Sequence, residues 1–282
     1  MKLETEFLNS GIFIIDGLKD NELQTGRRLY EDIATFKGFS DSPSIEYKRL
    51  STKHEVFVAL DEIKEYCRRG GYPIIHFEVH GGKEGGVYIG NTEENITWSE
   101  LVEVLREINI ISRNNLGVVM AGCYGLYAIV PTEPLKPTSF YFLLGCDRSV
   151  GAGTLEENIA RFYQELFKTG SLTEAMKVVD STFTTFLSEK EFTIAMIMYF
   201  RDQARGKGKD KRVEATLTEW VRRHPSHTDE ELKEFRSRLK TFYKPSIDEF
   251  YRNANIFLHG RFSVDADEML IFLDSLHGPS PN

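Results

Sequence analysis

An α/β fold with a mostly parallel sheet over residues 1–189, followed by a helical extension over 190–282, is what the amino-acid sequence predicts. Three observations carry that prediction. Short apolar runs alternate with segments of helical period through the first 190 or so residues, the pattern of βα units. Four of the helical segments open on a Ser or Thr followed three residues later by Glu, a pair that satisfies orphan backbone N–H groups reciprocally. Beyond residue 190 the strand signals stop and long helical stretches take over.

The first strand reads Gly11–Asp16 and the second Ile45–Leu50. The cap Thr52/Glu55 then opens a helix that lines up Val56, Ala59, Leu60, Ile63 and Cys67 on one face, making Cys67 a core thiol, and Gly70 supplies a left-handed stop. The third strand is Pro73–His80. Behind it the run from Gly81 to Gly90 reads as a surface hairpin inserted into a βαβ crossover, before a helix capped by Thr97/Glu100. Its glycines do not match a phosphate loop, which needs Gly-x-x-x-x-Gly-Lys-Ser/Thr and a helix starting at the turn. The fourth strand is Leu116–Ala121 and the fifth Ser139–Leu144, with Cys146 in the loop after it. Thr154/Glu157 and Ser171/Glu174 cap two consecutive helices separated by Gly170. In the extension, Glu191–Gln203 and Asp229–Tyr243 read as helices, and Arg205–Arg212, with five cations in eight residues, as a solvated loop between helices. Phe192, Ile194, Met196, Ile197, Met198 and Phe200 crowd one helical stretch, read as ordinary packing against the sheet domain. The end, Gly278–Asn282, reads as disordered.

Composition narrows the function. The 282 residues are 41% hydrophobic and carry 35 Lys and Arg against 43 Asp and Glu, a net −8, so a broadly basic nucleic-acid surface is not expected. The imbalance sits in residues 1–189, with 19 cations against 28 anions, whereas 190–282 is close to neutral at 16 against 15. Three cysteines cannot form a disulfide framework. With no stretch of about 18 apolar residues to span a bilayer and no signal-peptide apolar region, a cytoplasmic protein that neither crosses nor enters a membrane is expected.

The informative residues are His80-Gly81 and Gly122-Cys123, each closing an apolar strand inside a small-residue turn. In an open α/β sheet, ligands bind beyond the carboxyl ends of the strands. If the third and fourth strands are neighbours, their ends lie about 5 Å apart. That suits an imidazole beside a thiol, where His accepts the proton that makes Cys a nucleophile. Gly81 and the Gly122-Cys123 turn leave backbone N–H groups uncovered and able to face an oxyanion. Either residue alone reads as a buried Cys or a hydrogen-bonded His. Their joint placement favours a functional pair.

At these residues the sequence resembles the caspase-like cysteine proteases, whose signature is an apolar strand ending His-Gly and, one hairpin and helix later, an apolar strand ending in a small residue and Cys. Here these are Ile74–Gly81 and Val118–Cys123. The resemblance is closest to the CHAT type and covers about residues 10–187. It extends to Gly86–Gly90 leading into Ile96–Leu101, and to Ala160–Ala175, which looks like the family's late helix pair. Ala121-Gly122 departs from the acidic or Asn residue and Ala that precede Cys in many members. The resemblance implies a caspase-like three-layer α/β/α sandwich and a cysteine endopeptidase with Cys123 as nucleophile, His80 as general base and acid, and an oxyanion hole from backbone N–H groups near Gly81 and Cys123. It implies specificity loops after the first and fifth strands, which here contain Asp16 and Asp147 as candidate substrate-binding residues, with Arg27 and Arg28 as rivals better read as a solvated helix face. It also implies a protein or peptide substrate, an activating sensor protein and a role in prokaryotic antiviral defence or cell death. No cofactor is expected.

A different chemistry remains open at this point. His76, Glu78 and His80 alternate along one strand and could offer a metal three ligands, against which stands a buried polar pair at His76 and Glu78. A catalytically inactive scaffold with the same fold is the other alternative.

Overall fold

The computed structural model describes residues 6–35, 43–133 and 135–275. The carboxyl-terminal Gly278–Asn282 segment lies outside them. The described chain divides into two compact units, one of residues up to Ser188 with Ile256–Arg261, the other of Glu189–Asn255 with the residues from Phe262 onward.

The first unit contains β1 (Gly11–Asp16), α1 (Thr25–Ala34), β2 (Ser44–Arg49), α2 (Lys53–Arg68), β3 (Pro73–Glu78), β4 (His80–Gly82), β5 (Gly86–Ile89), β6 (Glu94–Ile96), α3 (Trp98–Ile111), β7 (Gly117–Ala121), β8 (Phe142–Cys146), α4 (Ala152–Thr169), α5 (Leu172–Lys177) and β9 (Phe183–Leu187). The main sheet runs β2-β1-β3-β7-β8-β9, parallel throughout except for the antiparallel β8–β9 pair. It is a three-layer α/β/α sandwich with a mostly parallel sheet. Phe13, Ile15, Ile75 and Phe77 pack with Leu60, Ile63, Leu101 and Leu105 of α2 and α3 on one face. Ile12, Ile14 and Phe142 pack with Leu29, Phe162 and Tyr163 of α1 and α4 on the other. Burial on both faces explains why the parallel strands read as unbroken apolar runs.

The caps Thr52/Glu55 and Thr97/Glu100 form complete capping boxes, and Ser171 accepts from the Glu174 N–H. Thr154 does not cap. The helix α4 begins three residues earlier, with Gly151 at the cap, directly after Val150, whose N–H is held by the Cys123 sulfur. The strand β8 is shifted toward the carboxyl end relative to expectation and takes in Cys146, which is buried opposite Phe183 of β9. That last strand was not anticipated, although its aromatic and β-branched residues Phe183, Thr184, Thr185 and Phe186 suit a strand; it closes the sheet edge by pairing antiparallel with β8. The glycine-rich insertion is a small antiparallel sheet, β4-β5-β6, with His80 opposite Tyr88.

The second unit is built from α6 (Ser188–Asp202), α7 (Gly206–Arg223), α8 (Asp229–Phe242), α9 (Ile247–Phe257) and α10 (Ala266–Ser275). The basic stretch from Arg205 is the start of α7 rather than a loop. Lys and Arg are good helix formers, and Arg212 is fixed by the Tyr199 hydroxyl, 2.8 Å away, and by the Tyr243 ring. On α6, Phe192, Met196, Ile197 and Phe200 are buried while Ile194 and Met198 are exposed. No helix among the described residues is long and apolar enough to cross a membrane.

Candidate active site

The strand order reverses between β1 and β3, since the chain steps from β1 outward to β2 and later strands add on the other side. A crevice at the carboxyl ends of the strands follows from that reversal. A pocket of about 310 Å³ occupies it. Leu18, Glu22 and Leu23 reach it from the segment after β1, and Glu78, Val79 and His80 from the end of β3. Ala121, Gly122 and Cys123 come from the end of β7, and Val150, Ala152 and Leu155 from the segment after β8. His80 and Cys123 therefore line one pocket.

Two glycines bring them there. A Cβ at Gly81 would stand 2.0 Å from the Cys123 carbonyl oxygen, and one at Gly122 would stand 2.3 Å from the Val79 carbonyl oxygen. The two turns lie backbone against backbone, an approach that only glycine permits.

His80 is exposed and its Nε2 lies 2.9 and 3.0 Å from the two carboxylate oxygens of Glu22. Glu22 also accepts the Lys19 N–H at 2.8 Å. Burial pushes the Glu22 carboxyl up, but the hydrogen bonds from His80 and the Lys19 N–H outweigh it and its pKa is lowered. An ionised carboxylate only accepts, so Nε2 carries the hydrogen and, in the neutral ring, Nδ1 keeps the lone pair. The Glu22 segment is itself pinned, with the Gly17 N–H on the Glu78 carbonyl at 2.9 Å and the Gly90 N–H on the Gly17 carbonyl at 2.7 Å. No hydrogen bond joins His80 to Cys123 among the described residues. The half-buried Cys123 sulfur receives the Val150 N–H at 3.4 Å and lies 3.5 Å from the Ser149 hydroxyl.

The other two cysteines are buried. Burial pushes the thiols of Cys67 and Cys146 up to about 12. At pH 8 a thiol of pKa about 12 is ionised in about one molecule in 10⁴. Iodoacetamide applied to the native protein is expected to label Cys123 alone, read by peptide mass spectrometry; labelling of Cys67 or Cys146 at a comparable rate would contradict these environments.

The pocket walls come from the segments after β1 and β8, as the resemblance implies, but not through the two aspartates. Asp16 is fully buried and accepts from the Leu18 N–H at 3.1 Å, the Tyr47 hydroxyl at 2.7 Å and the Arg49 guanidinium at 3.1 Å. Its acceptor capacity goes into fixing the turn after β1, and it does not line the pocket. Asp147 is exposed, 4.0 Å from Arg148, and also outside the lining. Arg27 and Arg28 pair with Glu31 and Glu156 on the outer face of α1.

The three-residue metal set is not assembled. The strand β3 ends at Glu78, and His80 belongs to the separate β4-β5-β6 sheet. His76 Nε2 lies 2.9 Å from Glu78, its Nδ1 lies 3.2 Å from the Tyr163 hydroxyl, and the Thr25 hydroxyl donates to the other Glu78 oxygen. Among the described residues no three His, Cys, Asp or Glu side chains are grouped to hold a metal ion. Glu22, Ser149 and Val150 were missed in the sequence. The usable signal for Glu22 is its position in the segment after β1, at the same edge of the sheet as the strand-terminal Asp16.

No protein-family model matches the chain, and no curated protein matches it. Among solved structures, it is similar to a secreted C11 cysteine protease from Bacteroides thetaiotaomicron in complex with an irreversible peptide inhibitor, at a TM-score of 0.44 and 10% identity over 70% of each chain.

Proposed function

We propose that the protein is a caspase-like cysteine peptidase in which Cys123 attacks the scissile carbonyl and His80 moves the proton. The observation that carries this is the contact of the two glycine turns, which puts an imidazole and a half-buried thiol on one pocket at the switch point of the sheet. His80 Nδ1 takes the thiol proton as sulfur bonds to the carbonyl carbon, and backbone N–H groups near Gly81 and Cys123 receive the oxyanion. Collapse of the adduct breaks the C–N bond and passes the proton to the leaving amine. Water then hydrolyses the thioester, with His80 accepting its proton and returning it to sulfur. The test is a peptidyl electrophile. A covalent adduct mapped to Cys123, formed in the wild type and not in His80→Ala, supports the reading, and modification independent of His80 counts against it.

Glu22 is proposed as the residue that orients His80. Glu22→Gln is expected to lower kcat about 10-fold to 100-fold, within the range of a general acid–base contribution, with little change in KM. Nitrogen NMR of the His80 ring should show loss of the single Nε2–H tautomer. Because the Glu22 carboxyl is held below its ordinary 4.5, its hold on the ring is present at neutral pH and lost as pH falls through the lowered value. An unchanged tautomer ratio in Glu22→Gln would remove the role.

Within the caspase-like group the CHAT resemblance supports activation by a partner protein and a place in prokaryotic defence or programmed death. Capture of a partner or substrate by full-length Cys123→Ala protein from its native host tests this part.

A further inference from the structure

We infer that the pocket beside Cys123 receives a lysine or arginine side chain of the substrate, with Glu78 at its floor; the inference rests on the peptidase reading of the same site. Its walls are apolar, formed chiefly by Leu18, Leu23, Val150 and Leu155. Such walls suit a long alkyl stem. Two carboxylates line the pocket, Glu22 and Glu78, and no Lys or Arg does. Glu22 is engaged with His80.

Glu78 is 6% exposed, sits opposite the small Ala121 in the register of β3 and β7, and lines the pocket together with Ala121 and Cys123. His76 and Thr25 each take one site on its oxygens. A carboxylate has about four acceptor sites, so two stay open to an ammonium or guanidinium group. A small cavity of about 20 Å³ continues past Glu78 between α1 and α4, and it adds Asp32 and Glu156 to its lining, the latter paired with Arg28. A cationic end that reaches the floor of the pocket thus meets Glu78. An acidic side chain meets the same charge as repulsion.

Two measurements test the inference. A positional peptide library cleaved by the full chain should give a preference for Lys or Arg before the scissile bond, about 100-fold over Asp or Glu. Glu78→Gln should lower that cleavage about 100-fold, and Leu23→Lys, a change at a 55% exposed rim position that leaves the core untouched, about 10-fold. Separately, butylguanidinium should bind the Cys123→Ala protein by NMR titration, and binding should weaken in the added presence of either substitution. Cleavage after Leu, Met or Asp, or a Lys/Arg preference that survives both substitutions, would overturn the pocket assignment while leaving the peptidase reading intact. Butylguanidinium binding that both substitutions weaken would support the cation pocket even where the isolated chain cleaves no peptide, and absence of cleavage with the captured partner present would then overturn the peptidase reading.

Discussion

Replacing Cys123 by Ala removes peptide cleavage, an expected fall of at least about 10⁴-fold in kcat, and replacing His80 by Ala does nearly the same. No other thiol can take over the role proposed for Cys123: the thiols of Cys67 and Cys146 are buried and pushed up to about 12, and the adjacent Ser149 hydroxyl has no base in contact among the described hydrogen bonds other than the sulfur itself. Because the two are proposed to act in one step, the double variant is expected to lose little more than either single one. Folding should survive. Cys123 is half-buried and exchanges only sulfur contacts with Ser149 and Val150, and His80 is exposed, so each substitution is expected to change unfolding free energy by no more than about 1 kcal/mol. Rates on the preferred peptide and urea unfolding curves check both parts. Full activity in Cys123→Ala would end the peptidase reading, and so would additive losses that place the two residues in separate roles.

The parts of this site that were legible in the sequence are those encoded by neighbours in the chain. His80 with Gly81, and Gly122 with Cys123, are each a strand end and a small-residue turn, and a parallel sheet places strand ends together. The capping boxes at Thr52 and Thr97 are equally local. Glu22 was not legible because its partnership with His80 spans 58 positions and depends on how the turn after β1 is tied to Glu78 and Gly90. Asp16 misled for the same reason in reverse. As a strand-terminal acid it looked available, but β2 pairs alongside β1 and supplies Tyr47 and Arg49 to consume it. In the strand β9 and the basic start of α7 the local preferences, Phe and Thr for strand and Lys and Arg for helix, agree with the elements that form, and β8 pairing and the Tyr199 and Tyr243 contacts of Arg212 hold them.

The other large effect is expected at Gly81, where the sequence motif and the tertiary contact are the same atom-scale fact. Gly81→Ala sets a methyl group 2.0 Å from the Cys123 carbonyl oxygen, a backbone atom with no rotamer to escape through, so either β4 or the Cys123 turn must move. The expected cost is about 2–4 kcal/mol of stability. Movement on the order of 1 Å between the imidazole and the thiol is also expected to lower kcat about 100-fold in whatever fraction stays folded. Gly122→Ala meets the Val79 carbonyl oxygen at 2.3 Å from the other side and should resemble it. The contrast is Gly153→Ala in the first turn of α4, where a Cβ meets nothing within 4 Å and no loss of stability is expected. Measuring activity per folded molecule, at a temperature where every variant is folded, separates the two consequences at Gly81. If Gly81→Ala only loses stability and each folded molecule cleaves at the wild-type rate, the turn contact holds the sheet edge together without setting the distance between base and nucleophile. If the rate per folded molecule also falls at that temperature, the contact sets the geometry of the chemistry itself.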